Sequence, residues 1–190
     1  MVGKSARLTP AFLAALSVAA RAAWAQAPAW VVDGNCRDGQ PNGLYELHDP
    51  AGRLRVAGAF NHGRRTGSFI FWTESGTRAA HIPFDDDVRN GTLATWYPGE
   101  PSREPPRRLE SAWRQGVRSG LTRSWYADGH RRSETDYAEG RQIASSGWSD
   151  TGARLDDTAA RALADRDAAE ADGYYAGLEA MVRDHLPHCD

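Results

Sequence analysis

The sequence predicts a mainly β protein: an antiparallel meander of β-hairpin repeats, forming a single-layer twisted sheet, with a C-terminal α-helical segment. Three observations predict it. Turn-forming glycines recur at near-constant spacing, large aromatics stand at equivalent places between them, and the periodicity becomes helical after residue 152. The 19 Gly and 7 Trp fit this class, because tight turns need glycine and short strands gain burial from large rings.

The repeat is read from four segments that share a turn: Phe60–Gly67, Phe84–Gly91, Trp113–Gly120 and Tyr137–Ala144. Each opens on an aromatic, and three close on glycine. Counted from Gly43, the anchors fall at 43, 67, 91, 120 and 144, and the one longer interval contains a polar, proline-rich insertion from Pro98 to Pro106. That insertion reads as an extended hairpin loop. After the anchors come strand-like runs, Leu44–His48, Ser68–Trp72, Thr92–Tyr97 and Leu121–Tyr126, each followed by a turn and a second strand. Short connections of this kind join antiparallel neighbours.

In register, the repeats form columns. Trp72, Trp96 and Trp125 follow their anchors by the same distance, with His48 in the first repeat and Trp148 one position short. Phe60, Phe84, Trp113 and Tyr137 form a second column, just before the turns. Alternation turns Tyr45, Phe69 and Leu93 to the face opposite the Trp column. The plainest reading is that these rings are the core, each repeat burying its neighbour's aromatic. A stacking platform for sugars or peptides is the other.

From Asp156 to His185 the pattern changes. Tyr174, Leu178, Met181, Val182 and His185 recur at helical spacing, Asp156 or Asp157 can cap the start, Gly173 offers a break, and Pro187 ends it. Such a helix would lie on a sheet face or edge and shield it from pairing with another chain.

The first 25 residues read as a signal peptide, with basic Lys4 and Arg7, an apolar run from Pro10 to Ala20, and an Ala23-Trp24-Ala25 cleavage site before Gln26. The expected divisions are therefore 1–25 signal peptide, 26–37 lead-in, 38–152 repeats and 153–190 helix packed on the array. The expected location is the periplasm or outside the cell, with no transmembrane segment in the mature chain. Without the leader the chain carries 20 basic and 25 acidic residues, and the whole imbalance lies beyond Thr151. No basic face points to nucleic acid. The two cysteines, Cys36 and Cys189, bracket the mature chain, and an even count in an exported protein predicts a disulfide. His185, His188 and Cys189 are too few for a metal site, and neither metal nor cofactor is expected.

The segment Gly67–Gly76, with its relatives Gly91–Gly99 and Gly120–Gly129, resembles the bacterial MORN-repeat variant family. That family alternates such hairpins with turns of the form seen at Phe60–Gly67 and Trp113–Gly120, and more loosely at Phe84–Gly91, where Asp87 replaces glycine. The likeness covers roughly residues 38–152. It implies an elongated hairpin array used for interaction, and some members of the family are catalogued as proposed antitoxins. It brings no catalytic residues with it.

Arg65, Arg89 and Arg118 each stand two residues before a closing glycine, with Gln142 in the fourth unit. They predict a line of guanidiniums along one edge, either an anion-binding ladder or arginines paired with neighbours such as Asp85, Asp86 and Asp87. Those three acids read as a solvated turn, since adjacent carboxylates cannot all face one calcium ion. Sequence signatures of a nucleophilic serine, a zinc protease or a phosphate loop are absent. The reading is a non-enzymatic binding or scaffold module that engages a protein or envelope polymer. An antitoxin-type protein that neutralises a partner toxin is the second reading. An envelope hydrolase with dispersed carboxylates is the third.

Overall fold

The computed structural model describes residues 29–190; the expected leader and its cleavage site lie outside them. The elements are β1 (Val31–Arg37), β2 (Gln40–His48), β3 (Leu54–Asn61), β4 (Arg64–Trp72), β5 (Arg78–Asp85), β6 (Val88–Arg89), β7 (Gly91–Trp96), β8 (Arg107–Arg114), β9 (Val117–Trp125), β10 (Arg131–Ala138), β11 (Arg141–Gly147) and α1 (Asp157–Arg183). All the strand pairs are antiparallel. Neighbours in sequence are neighbours in space, β6 pairing only with the end of β5, and the sheet stays open. The chain is the β-meander with a C-terminal helix that its sequence predicts.

The array starts earlier than the spacing of its glycines indicates. Val31–Arg37, inside the expected lead-in, pairs with β2 from Val31↔His48 to Arg37↔Gln40. Gly34 and Asn35 are poor strand formers, so the segment carries little strand signal and is held by its neighbour.

Two kinds of hairpin end alternate. Five are two-residue turns, Asp38-Gly39, His62-Gly63, Asp86-Asp87, Gln115-Gly116 and Glu139-Gly140, with positive φ at both positions. This geometry matches the right-handed twist of the strands it joins. Asp87 adopts it without being glycine, at φ 68°. Its carboxylate accepts from the Arg65 backbone N–H (3.0 Å) and Nε (2.7 Å), which holds the turn. At the opposite ends the β2–β3 hairpin opens on His48↔Leu54, and the next three open on a Trp–Arg pair, Trp72↔Arg78, Trp96↔Arg107 and Trp125↔Arg131, continued by Trp148↔Arg154. Beside each opening one residue is left over in the register, namely Arg55, Ala79, Arg108 and Arg132. These are β-bulges, which re-aim a side chain.

Helix α1 covers one face of the sheet. At 27 residues it is about 40 Å long, against about 43 Å for ten strands side by side. Its Ala171, Tyr175, Leu178 and Val182 pack on Tyr45, Leu47, Val56, Phe60, Phe69, Phe71, Ile82, Phe84, Leu93, Leu109 and Trp113. Along this face the rings meet edge to face, Tyr45–Phe60 at 5.4 Å, Phe60–Phe69 at 5.6 Å and Phe69–Phe84 at 5.5 Å. Gly58 is required under the Phe69 ring, where a Cβ would fall 2.6 Å from ring carbons.

Toward β11 the core changes character. Ser111, Thr122, Ser124, Ser133 and Thr135 are buried there, and the helix contributes the small buried residues Ala160 and Ala164. The helix comes so close that a Cβ on Gly147 would lie 3.1 Å from the Ala160 Cα. Asp156 caps α1 by accepting from the Ala159 N–H at 2.8 Å, and the helix runs unbroken through Gly173. Beyond its end the Tyr45 hydroxyl donates to the His185 carbonyl (2.9 Å), and Cys189 reaches Cys36 at a Cα–Cα distance of 5.6 Å. No helix among the described residues is long and apolar enough to cross a membrane.

Candidate functional site

The sheet has two faces, and the helix claims only one. On the helix face, alternation places Phe60, Phe84, Trp113 and Tyr137 inward, all buried. The arginines that follow them in each turn rise beside these rings. Arg65 lies 4.0 Å over Phe84, while Arg89 and Arg118 lie 5.0 and 4.8 Å from the Trp113 ring.

Arg65, Arg89 and Arg118 do stand in line, and the helix is what they hold. Glu179 accepts from Arg65 Nη1 (2.9 Å) and Arg89 Nε (2.7 Å). Asp172 takes Arg118 through two bonds, and Arg118 Nη2 also donates to the Ala168 carbonyl (3.2 Å). The expected fourth rung, Gln142, bonds Ser145 instead. Of the expected acidic turn, Asp86 pairs with Arg64 and Asp87 with Arg65.

A second row of arginines flanks the helix on its other side. It comes from the bulge positions: Arg132 donates to Asp167 (2.9 Å), Arg108 pairs with Glu170, and Arg55 donates to the Trp72 carbonyl (3.0 Å). The sequence shows these residues as the doublets Arg107-Arg108 and Arg131-Arg132, whose second member has no place in a strict alternation. Asp167, almost fully buried, also accepts from Ser124 (2.6 Å) and Ser133 (2.8 Å). Beside it lies a cavity of about 240 Å³ lined by Tyr97, Arg108, Arg132, Glu170 and Tyr174. Its charges neutralise one another in pairs.

The opposite face is open. Pairing sets Ile70, His81 and Ala94 side by side across β4, β5 and β7. Around them are two adjoining hollows of about 360 and 470 Å³, which share Arg78 and Trp96. The first is completed by Thr92 and Arg107, the second by Trp72, Arg103 and the 101–105 loop. Arg78 and Arg107 lie 5.1 and 4.7 Å from the Trp96 ring centre. Trp96 is buried by these neighbours, whereas Trp72 and Trp125 are half-buried. Burial, then the charges of Arg78 and Arg107, hold the His81 imidazole below its ordinary pKa. Its Nε2 lies 2.9 Å from the Ser68 hydroxyl.

The Trp column therefore separates from the core column, as alternation predicts, and it alternates with arginine from strand to strand. What the sequence left unread is that alternation. The signal was there, since Arg78, Arg107 and Arg131 each open the strand after a Trp. Trp148, out of register by residue count, pairs with Arg154 as the other members pair with theirs. Among the described residues no group of three His, Cys, Asp or Glu is placed to hold a metal ion.

No family model matches the chain, and no curated protein matches it.

Proposed function

We propose that the chain is an exported, non-enzymatic binding module that engages a protein or envelope polymer through the sheet face opposite α1. One observation carries this reading: the two faces are finished differently. On the helix face, Arg65, Arg89, Arg118, Arg108 and Arg132 all have carboxylate partners. On the open face Arg107, Arg123 and Arg131 share Glu110 and Glu134, but Arg78 has no carboxylate partner among the described residues, and half-buried Trp72 and Ile70 and the strongly exposed Leu44 meet solvent. A surface that mixes rings and arginines has the composition of binding surfaces rather than of ordinary solvated strands.

The likeness to MORN-type repeats supports an interaction role, and the Cys36–Cys189 pairing supports an oxidising compartment. The test is native capture from envelope extract with the full disulfide-bonded chain as bait. Retained material is expected to be lost with Ile70→Glu and kept with Glu170→Gln on the helix side. Equal retention by wild type and Ile70→Glu would remove the open face from the reading. Cell fractionation tests export, and a wholly cytoplasmic protein would refute it.

A further inference from the structure

The open-face groove around Arg78, Trp96 and Arg107 is, we propose, a binding site for the carboxylate-bearing sugars of an anionic polysaccharide. This rests on the binding-module reading and names its ligand.

The groove is preorganised for an oxyanion. Arg78 and Arg107 both lie over the Trp96 ring, which restricts each planar fork; Arg107 Nη1 donates to Glu110, while the Arg78 fork faces no carboxylate. A carboxylate meets such a fork with two parallel hydrogen bonds. Among the described residues Arg78 and Arg103 have no carboxylate within ion-pair distance, unlike the arginines under the helix, and Arg107 shares only Glu110. Glu104 is the one carboxylate lining either hollow. The His81 imidazole is held below its ordinary pKa by burial first, and then by the charges of Arg78 and Arg107 beside it.

The remaining lining suits a sugar. Trp72 offers ring surface, and Thr92 and Ser102 offer hydroxyl partners. An acidic peptide fits less well. β4, β5, β7 and β8 are paired on both sides over this region, so no free strand edge is present for an extended peptide to join. The Trp–Arg pairing also repeats at Trp125↔Arg131, where Glu134 holds the arginine, and at Trp148↔Arg154, about 9.6 Å per two strands, close to the length of a disaccharide unit. Successive residues of one polymer can then engage successive pairs, which raises affinity beyond that of one sugar.

The experiment titrates the full disulfide-bonded chain with polygalacturonate, followed by tryptophan fluorescence and calorimetry. Dextran, poly-glutamate and inorganic phosphate are the comparison probes. Polygalacturonate is expected to bind, dextran not, and poly-glutamate and phosphate more weakly. The double variant Arg78→Ala/Arg107→Ala is expected to weaken binding at least about tenfold. Arg141→Ala, an exposed arginine on β11, is expected to leave binding unchanged. Where the alanine pair does not fold, Arg78→Lys/Arg107→Lys keeps the charges without the forks and is expected to lose affinity several-fold. Four results overturn the proposal: no binding of polygalacturonate, affinity that ignores both double variants, equal affinity for dextran, or tighter Arg78-dependent binding of poly-glutamate or phosphate. The wider reading fails separately, through Ile70-independent capture from the envelope extract.

Discussion

Arg118 grips Asp172 at both carboxylate oxygens, Nη1 to Oδ2 at 3.0 Å and Nη2 to Oδ1 at 2.7 Å. The next acid on that helix face is Glu179, which serves Arg65 and Arg89. Seven residues of helix advance about 10.5 Å. Two strands advance about 9.6 Å. The helix thus meets the repeating arginines at nearly their own spacing, and the paired charges set where along the sheet it lies. The rings beneath supply burial, which is large but not directional.

Asp172 is half exposed, while the Arg118 side chain is nearly buried. Asp172→Ala should therefore lower stability by about 1–2 kcal/mol, between the ranges for exposed and buried pairs. Urea unfolding measures this, and a double-mutant cycle with Arg118→Ala isolates the pair. Arg118→Ala alone should cost more, because the Trp113 contact goes with it. A coupling energy near zero would mean that the clasp does not set the helix position.

Asp167 predicts a larger effect. Its carboxylate accepts from Ser124, Ser133 and Arg132 in a site closed by the helix. Asp167→Ala strands these donors, one of them charged, and should cost about 3 kcal/mol or more. Asp167→Asn, which keeps one acceptor, should cost less. Equal midpoints for Asp167→Ala and Asp172→Ala would show that burial adds nothing here.

Residues far apart in kind differ in how plainly they speak. Glycine at 43, 67, 91 and 120 and rings at 60, 84, 113 and 137 announce the meander, because turn geometry and period-two burial both act locally. Arg65, Arg89 and Arg118 announce a line, and the sequence does not say what meets it, since the partner lies up to 114 residues away. The buried half of α1 toward β11 is read poorly. Ala160, Ala164, Asp167 and Ala171 face the sheet there, and alanine marks no face by hydropathy. Tyr175, the helix's fully buried ring, is adjacent to Tyr174, which the apolar spacing selects. Bulge residues Arg55, Arg108 and Arg132 break the alternation on which strand reading depends.

Acid should loosen the β2–β3 end. Burial of the Asp49 carboxyl works against its ionisation, but bonds from the Arg53 N–H and guanidinium and the Ala51 N–H outweigh it. Its pKa is held below the ordinary aspartate range. A group lowered on folding contributes stability above its unfolded value, about 3.9, and loses it as pH falls through the folded value. Asp49→Asn should then be less stable than wild type at pH 7, with the gap closing in acid. Urea midpoints between pH 7 and pH 2 test this, and a gap that widens on acidification contradicts it.

The Cys36–Cys189 link acts at the far end, where α1 has run out. Its closed loop spans 153 residues of sequence, so removing it should cost up to about 4–5 kcal/mol, mostly by freeing the unfolded chain. Folding itself should survive, because Glu179, Asp172 and Asp167 still tie α1 to the sheet. What should loosen locally is β1, an edge strand whose neighbours include Pro187 against Gly34 and the Trp30 ring on His185. The variant Cys36→Ser/Cys189→Ser is therefore expected to show a lower urea midpoint together with faster amide exchange in residues 31–37 and 184–190. Exchange in β4 to β9 should slow or hold when compared at equal global stability. Uniformly faster exchange along the whole sheet would instead mean that the link, and not the arginine rows, is what fastens the helix.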